Sequence, residues 1–179
     1  MSISGLCTGN VGNAASLHYI QTLSSNVYVA RNELDCYNST FNATTNDKLQ
    51  SYQSITIGEF KFLLYNNYTN NVLIDYPSNN DSSSYTIDTD QCIYELAKHN
   101  SDIMIIGSSQ QSTIIEYADK LIVSPGTLTG AQSPHSSNAS DVVPSFILIA
   151  VKGAKAVVYT YELHNGEVTV NKTEHVKTK

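Results

Sequence analysis

Closely spaced histidine pairs, a Cys-x-x-Cys, a basic run and a long apolar segment are all missing from this sequence, and each absence removes a class of function. The five histidines are His18, His99, His135, His164 and His175, none within four residues of another. No His-x-His or His-x₃-His pair can therefore converge two imidazoles on a metal from one turn or one helix face. Three cysteines, Cys7, Cys36 and Cys92, are odd in number and far apart. That usage fits reduced thiols better than a disulfide framework. Lys and Arg together number only 10 against 16 Asp and Glu, for a net charge of -6 and a pI near 5.2. A nucleic-acid surface, which carries a basic footprint, is excluded, and so is direct docking on an anionic membrane. No apolar run approaches the about 20 residues that span a bilayer. The first residues, MSISGLCTGN, have neither the charged region nor the apolar core of a signal peptide. The Asn-x-Ser/Thr sequons at Asn38, Asn42, Asn67, Asn80, Asn138 and Asn171 then read as chance products of an Asn-, Ser- and Thr-rich composition, and a cytosolic protein is expected. Trp is absent and Tyr abundant, a compositional bias with no functional reading of its own.

What is present is enough for a full core. At 179 residues and 41% apolar, one globular domain over residues 1–179 is expected. Ile3–Thr8, Ala14–Leu23 and Val27–Ala30 read as strand, helix and strand, a βαβ unit with parallel strands. Residues 35–53 are polar and aperiodic and read as loop. Ser54–Ile57 and Phe60–Tyr65 flank a Gly58-Glu59 hairpin turn, and residues 66–85 should be irregular. Asp88, with Gln91 three residues on, caps a helix whose apolar stripe is Ile93, Leu96 and Ala97. Ile103–Ile106 is a buried strand, and Thr113–Tyr117 and Lys120–Val123 a hairpin around Ala118-Asp119. Pro144–Val151 and Ala156–Leu163 flank residues 152–155, and Glu167–Glu174 follows a turn at His164-Asn165-Gly166. An α/β beginning and an antiparallel meander at the end are satisfied by two sheets packed face to face with helices outside.

The stretch from Ile103 to Gly130 places two loops, Gly107-Ser108-Ser109-Gln110 and Ser124-Pro125-Gly126-Thr127, at strand ends, where α/β folds build active sites. The chemistry is lacking. Ser108 and Ser109 have no positioned base, no Gly-x-Ser-x-Gly elbow occurs, and residues 126–130 lack the Lys of a phosphate loop. Asn32-Glu33-Leu34-Asp35 follows the second strand, where carboxylates can hold Mg²⁺ or Ca²⁺. A solvated loop start is the better account, since two carboxylates without imidazole partners make a weak site.

Leu6-Cys7-Thr8-Gly9-Asn10, Val27–Asp35, Ser124–Ala131 and Pro144-Ser145-Phe146-Ile147-Leu148, in that order and spacing, resemble the vacuolar protein sorting 29 family, which supplies the small retromer subunit. The resemblance runs from Leu6 to about Glu174. It implies a two-sheet α/β/β/α sandwich of metallophosphoesterase type. The family's first strand, with Asp-x-His, and the helix after it have no counterpart, so unpaired backbone edges are expected beside the vacant place. The family's ligand positions correspond to Asn10, Glu33, Asp35, Asn66, Ser108 and Gln110, with Tyr68 where a second histidine often sits. Neutral amides and hydroxyls hold divalent metals weakly, so the resemblance implies no catalytic metal, no cofactor and no phosphoesterase activity. A residual metal-dependent phosphoesterase using Asn10, Glu33, Asp35 and Asn66 is the alternative, and a divergent paralogue outside the complex a third reading. The resemblance further implies partners: regulatory proteins with Pro-Leu-type loops on a patch of Leu148, Tyr159, Tyr161 and Val168 or Val170, and the large α-solenoid subunit near Val72 and Leu73. Endosomal association would be indirect, through the complex. By strand alternation Tyr159, Tyr161 and Leu163 share one face, and Val158, Thr160 and Glu162 the other. From residues alone, the better reading is that the tyrosine face fills the space between the sheets; the resemblance turns the reading toward the patch.

Overall fold

A computed structural model of the chain describes residues 3–11, 14–30, 52–66, 74–75, 86–107, 110–131 and 142–178. The chain opens with β1 (Ser4–Cys7), α1 (Ala14–Leu23) and β2 (Asn26–Val29). The two strands pair in parallel, Gly5 against Val27 and Cys7 against Val29. Gly9 and Asn10, at φ 95° and 59°, turn the chain out of β1. The Ser24 hydroxyl donates to the Ile3 carbonyl at 2.7 Å, tying the helix exit to the strand entry.

The main sheet has five strands: β3 (Tyr52–Ile57), β4 (Phe60–Tyr65), β7 (Ile103–Ile106), β8 (Ser112–Tyr117) and β9 (Lys120–Pro125), in the order β3-β4-β7-β9-β8. The inner three are parallel and the two outer pairs are antiparallel hairpins. The inner strands are buried on both faces, which is why they read as unbroken apolar runs. One face packs Phe62, Leu64, Ile103, Ile105, Leu121 and Val123 toward the second layer. The other packs Leu63, Met104, Ile106 and Ile122 under α2 (Thr89–Lys98). A short ribbon of β5 (Ile74–Asp75) and β6 (Thr86–Ile87) precedes that helix. The Gln91 backbone N–H donates to the Asp88 carboxylate at 3.0 Å, the expected cap.

Several expectations need correction. The helix stripe is Cys92, Leu96 and part-buried Ile93, with Ala97 exposed; the helix rotates its cysteine, not its alanine, into the core. Tyr52 and Gln53, read as loop, begin β3. Ile74–Asp75, inside the stretch read as irregular, is a strand. The two late turns are tighter than expected. β10 (Ser145–Lys152), β11 (Lys155–His164) and β12 (Glu167–Val176) join through two-residue loops at Gly153-Ala154 and Asn165-Gly166. Asn165 and Gly166 both have positive φ, 51° and 86°, which matches the twist of a tight hairpin.

The meander β10-β11-β12 and the β1–β2 pair both pack on the same core as the inner face of the main sheet, with Ala156, Val158, Ile147 and Ile149 from one and Leu6, Tyr28 and Ala30 from the other. Among the described residues no strand ladder joins β1–β2 to the meander, and the start of β10 is tied by the Ser145 N–H to the Thr127 carbonyl at 2.8 Å. Side chains fasten the layers. Lys177 Nζ donates to Asp102 Oδ2 at 2.7 Å and to the Glu59 carbonyl at 3.0 Å. His175 Nδ1 lies 2.9 Å from Glu116 Oε1, and the Ser145 hydroxyl donates to the Pro125 carbonyl at 2.8 Å. Among the described residues no helix is long and apolar enough to cross a membrane.

Candidate functional site

The C-terminal ends of β1, β4 and β7 meet at one end of the molecule. Asn66, just past β4, is 2% exposed, and its carboxamide nitrogen donates to the Thr8 carbonyl, just past β1. Gly107, just past β7, sits against Thr8 so closely that a Cβ there would lie 2.7 Å from the Thr8 Cβ and 2.9 Å from its carbonyl oxygen. Thr8 thus fills the notch between the strand ends. Asn10 lies beyond it in the exposed turn, and Gln110 is part-buried beyond β7. Glu33, Asp35 and Ser108 lie outside the described residues, as do Val72 and Leu73.

Asn10, Asn66 and Gln110, the described members of the set, carry neutral amides, which hold a divalent cation weakly. Asn66 turns an N–H donor toward the Thr8 carbonyl, and Thr8 packs against Gly107. Among the described residues no group of three His, Cys, Asp or Glu side chains converges. No reaction step is therefore assigned to this end of the fold.

The outer face of the meander has a different character. Strand pairing sets Leu148 opposite Tyr159, Phe146 opposite Tyr161, Tyr161 opposite Val170, and Leu163 opposite Val168. Residues paired across neighbouring strands share a face, so all seven lie together, on the side away from the core. Val168, Val170 and Leu148 are 62%, 50% and 52% exposed, while Ala156, Val158 and Thr160 on the alternate positions are buried. The tyrosine face therefore does not fill the inter-sheet space; the alternate residues do. The Phe146 and Tyr161 rings stack at 4.7 Å between centroids and 2° between planes, a rigid aromatic pair on the surface. Both Val168 and Val170 belong to the face. Phe146 was missed by sequence reasoning, although alternation from Leu148 was enough to place it there.

Charge borders this face at one end. Lys155 Nζ reaches Glu174 Oε2 at 2.7 Å, and Lys172 also pairs with Glu174. Hydrogen bonds from the two lysines, and then their charges, hold the Glu174 carboxyl down at about 2. Glu162 turns inward instead. The Ser112 hydroxyl donates to it, and His164 Nε2 lies 3.2 Å away; these two contacts keep its carboxyl below the ordinary range. The outer face is thus apolar and aromatic at its centre and charged at one margin.

No family model matches the chain. The chain is 28% identical, over 176 residues, to vacuolar protein sorting-associated protein 29 of Schizosaccharomyces pombe, covering 96% of this chain and 81% of that protein. It is 30% identical to the solved structure of vacuolar protein sorting 29 from Cryptosporidium parvum, with a TM-score of 0.78 over 96% of this chain and 81% of that one. Vps29 of Chaetomium thermophilum, solved with a cyclic peptide, is 25% identical with a TM-score of 0.72, covering 98% of this chain and 81% of that one. In fold alone the chain is also similar to a predicted phosphoesterase of Streptococcus pneumoniae, 8% identical with a TM-score of 0.58 over 94% of this chain and 80% of that one. The architecture is of the metallophosphoesterase type.

Proposed function

The chain belongs to the vacuolar protein sorting 29 family, and from that premise we propose that it is a non-catalytic scaffold subunit of the retromer complex, acting in endosome-to-Golgi retrieval of cargo. The observation that carries this reading is the outward apolar face of Leu148, Tyr159, Tyr161, Val168 and Val170, extended by Phe146 and Leu163. An apolar area of this kind, aromatic at its centre, is unusual for a surface that faces only water. It suits regulatory proteins that present a short loop with a proline and a leucine. The large α-solenoid subunit would sit at the other region, near Val72 and Leu73. The whole chain acts as one domain in this reading, reaching endosomes from the cytoplasm only through the complex.

The absence of catalysis is part of the proposal. It is supported by the neutral carboxamide at Asn66, bonded to the Thr8 carbonyl, and by the lack of closely spaced histidine pairs in the sequence. Hydrolysis of a phosphate ester that survives repurification and chelator treatment overturns this part.

The test of the scaffold reading is capture of the large solenoid subunit by the purified chain, together with titration of a Pro-Leu loop peptide. Leu148→Asp puts a charge at the centre of the face without touching the core. It should weaken the peptide by about thirtyfold or more, as loss of an interface hot spot does, and leave the unfolding midpoint unchanged. Unaltered peptide affinity in that variant refutes the assignment of the face. Failure to capture the solenoid subunit refutes membership in the complex.

A further inference from the structure

The outer face of the meander changes character along its strands. On β10 the outward positions pass from Leu148 to Lys152, and on β11 from Tyr159 to Lys155. On β12 Lys172 stands opposite Tyr159, with Glu174 two residues further on. Lys155 and Lys172 both pair with Glu174, at 2.7 and 2.5 Å, and their side chains remain 46% and 52% exposed. Lys152 is exposed and forms no ion pair among the described residues. Three lysines therefore surround one glutamate. Glu59 comes to the adjoining turn, where its Oε1 would lie 3.5 Å from a Cβ on Gly153; with it counted, positive charge is still in excess. The other end of the face, at the β11–β12 turn, carries Glu162 and Glu167 beside His164. In a chain with 16 Asp and Glu against 10 Lys and Arg, the lysine end reverses the prevailing sign.

We infer that this face takes an apolar–acidic peptide segment: an aliphatic side chain seated on Leu148 and Tyr159, and an Asp or Glu about two to four residues away on Lys172, Lys155 and Lys152. The inference rests on the reading of the face as a partner surface and names what that partner carries. Strand geometry sets the spacing. Lys172 is one strand over from Tyr159, about 5 Å, and Lys155 is four residues along β11, about 13 Å. An extended segment rises about 3.3 Å per residue, so its acid reaches the lysines within that span. Most of this acidic chain repels a carboxylate, and the lysine end is where one can settle. A segment laid the other way brings its acid to Glu162 and Glu167, where like charges repel. The two ends of the face thus also fix the direction of the segment.

Titration of three synthetic loop peptides into the full chain tests it. All share one Pro-Leu turn. The first carries a pair of glutamates after the leucine, the second carries them before the proline, and the third has glutamines at both places. At low salt one acidic peptide should bind about three- to tenfold tighter than the glutamine peptide, the gain of two exposed ion pairs, and the other acidic peptide should gain nothing. At about 1 M salt, where screening acts within about 3 Å, the advantage should fall below about twofold; this arm needs no variant. In the double variant Lys152→Gln, Lys172→Gln the low-salt advantage should also fall below about twofold. Equal binding of all three peptides overturns the inference and leaves the face assignment intact. An advantage that survives the lysine substitutions overturns it too, and equal gains from both acidic placements overturn the stated direction. Failure of all three to bind refutes the face as a partner surface, and this inference with it.

Discussion

Replacing Asp102 with alanine removes the acceptor on which the C-terminal strand is latched to the main sheet. Asp102 lies just before β7, its side chain 11% exposed. Its Oδ2 accepts the Lys61 backbone N–H at 2.8 Å and the Lys177 ammonium at 2.7 Å, and Lys120 lies 3.8 Å from its Oδ1. A hydrogen bond to a charged acceptor contributes about 1.5–3 kcal/mol, so loss of the Lys61 bond alone costs about that much. Lys177 is partly exposed, and screening holds its pair to less than about 1 kcal/mol. The substitution should then cost about 2–3 kcal/mol, and lower the melting temperature of a chain this size by roughly 4–12 °C. Lys177→Ala should cost under about 1 kcal/mol. Asp102→Asn, which keeps a carbonyl for the Lys61 N–H, should fall between them.

The acid dependence follows from the same contacts. Burial raises the Asp102 carboxyl, but the Lys177 hydrogen bond, then the Lys61 N–H, then the charges of Lys177 and Lys120, outweigh it, so the carboxyl stays below its ordinary value. A depressed carboxylate stabilises the fold above its unfolded value, about 4, and that contribution is lost as pH falls through the lower folded value. Denaturant unfolding of the natural and Asp102→Ala proteins should show a constant gap from pH 5 to 7 that narrows below about pH 4. A gap that is equally wide at the lowest pH, or a cost at pH 7 below about 0.5 kcal/mol, the usual range of a surface substitution, refutes the reasoning.

Gly126→Ala should be markedly destabilising, by about 2–4 kcal/mol in thermal or denaturant unfolding, because a Cβ at φ 74° meets the Ser145 hydroxyl and lies 2.9 Å from the Ser112 nitrogen. Gly166→Ala, also at positive φ but with open space around it, should cost only about 1 kcal/mol; equal costs would show that the crowding at Gly126 is unimportant. Burial, and after it the charge of Asp88, push the Cys92 thiol up to about 12. Iodoacetamide at pH 8 should therefore spare Cys92 in the native protein while modifying part-buried Cys7, and equal labelling of the two, read by mass spectrometry, would contradict that assignment.

Much of this fold was legible because its signals are local. The runs around Leu63, Ile105 and Ile122 declare strands buried on both faces, and alternation through Tyr159 and Tyr161 sorts the meander into an inner and an outer face. The Asp88 cap is likewise a matter of a few residues. Failures occurred where a nearby residue misled or a distant one decided. Ala97 and Cys92 are both plausible on the helix stripe, and only docking on Met104 and Ile106 selects the cysteine. Tyr52 and Gln53 share the polarity of the loop before them, and enter a strand because Leu64 and Tyr65 pair with them.

The sequence by itself determined the longer strands and both helices, the lack of metal-binding histidine pairs, and the resemblance to a family of sorting proteins, since composition, period and motif order are properties of the chain read in line. Tertiary structure alone decided that the Tyr159–Leu148 face looks outward, that Thr8 fills the notch beside Gly107, and that Asn66 and Lys177 fasten layers whose contact residues lie 58 and 75 positions away. Those outcomes depend on which surfaces compete for one core, and a core has room for only one side of the meander. Val158 and its neighbours took it, which left the aromatic side to the surface.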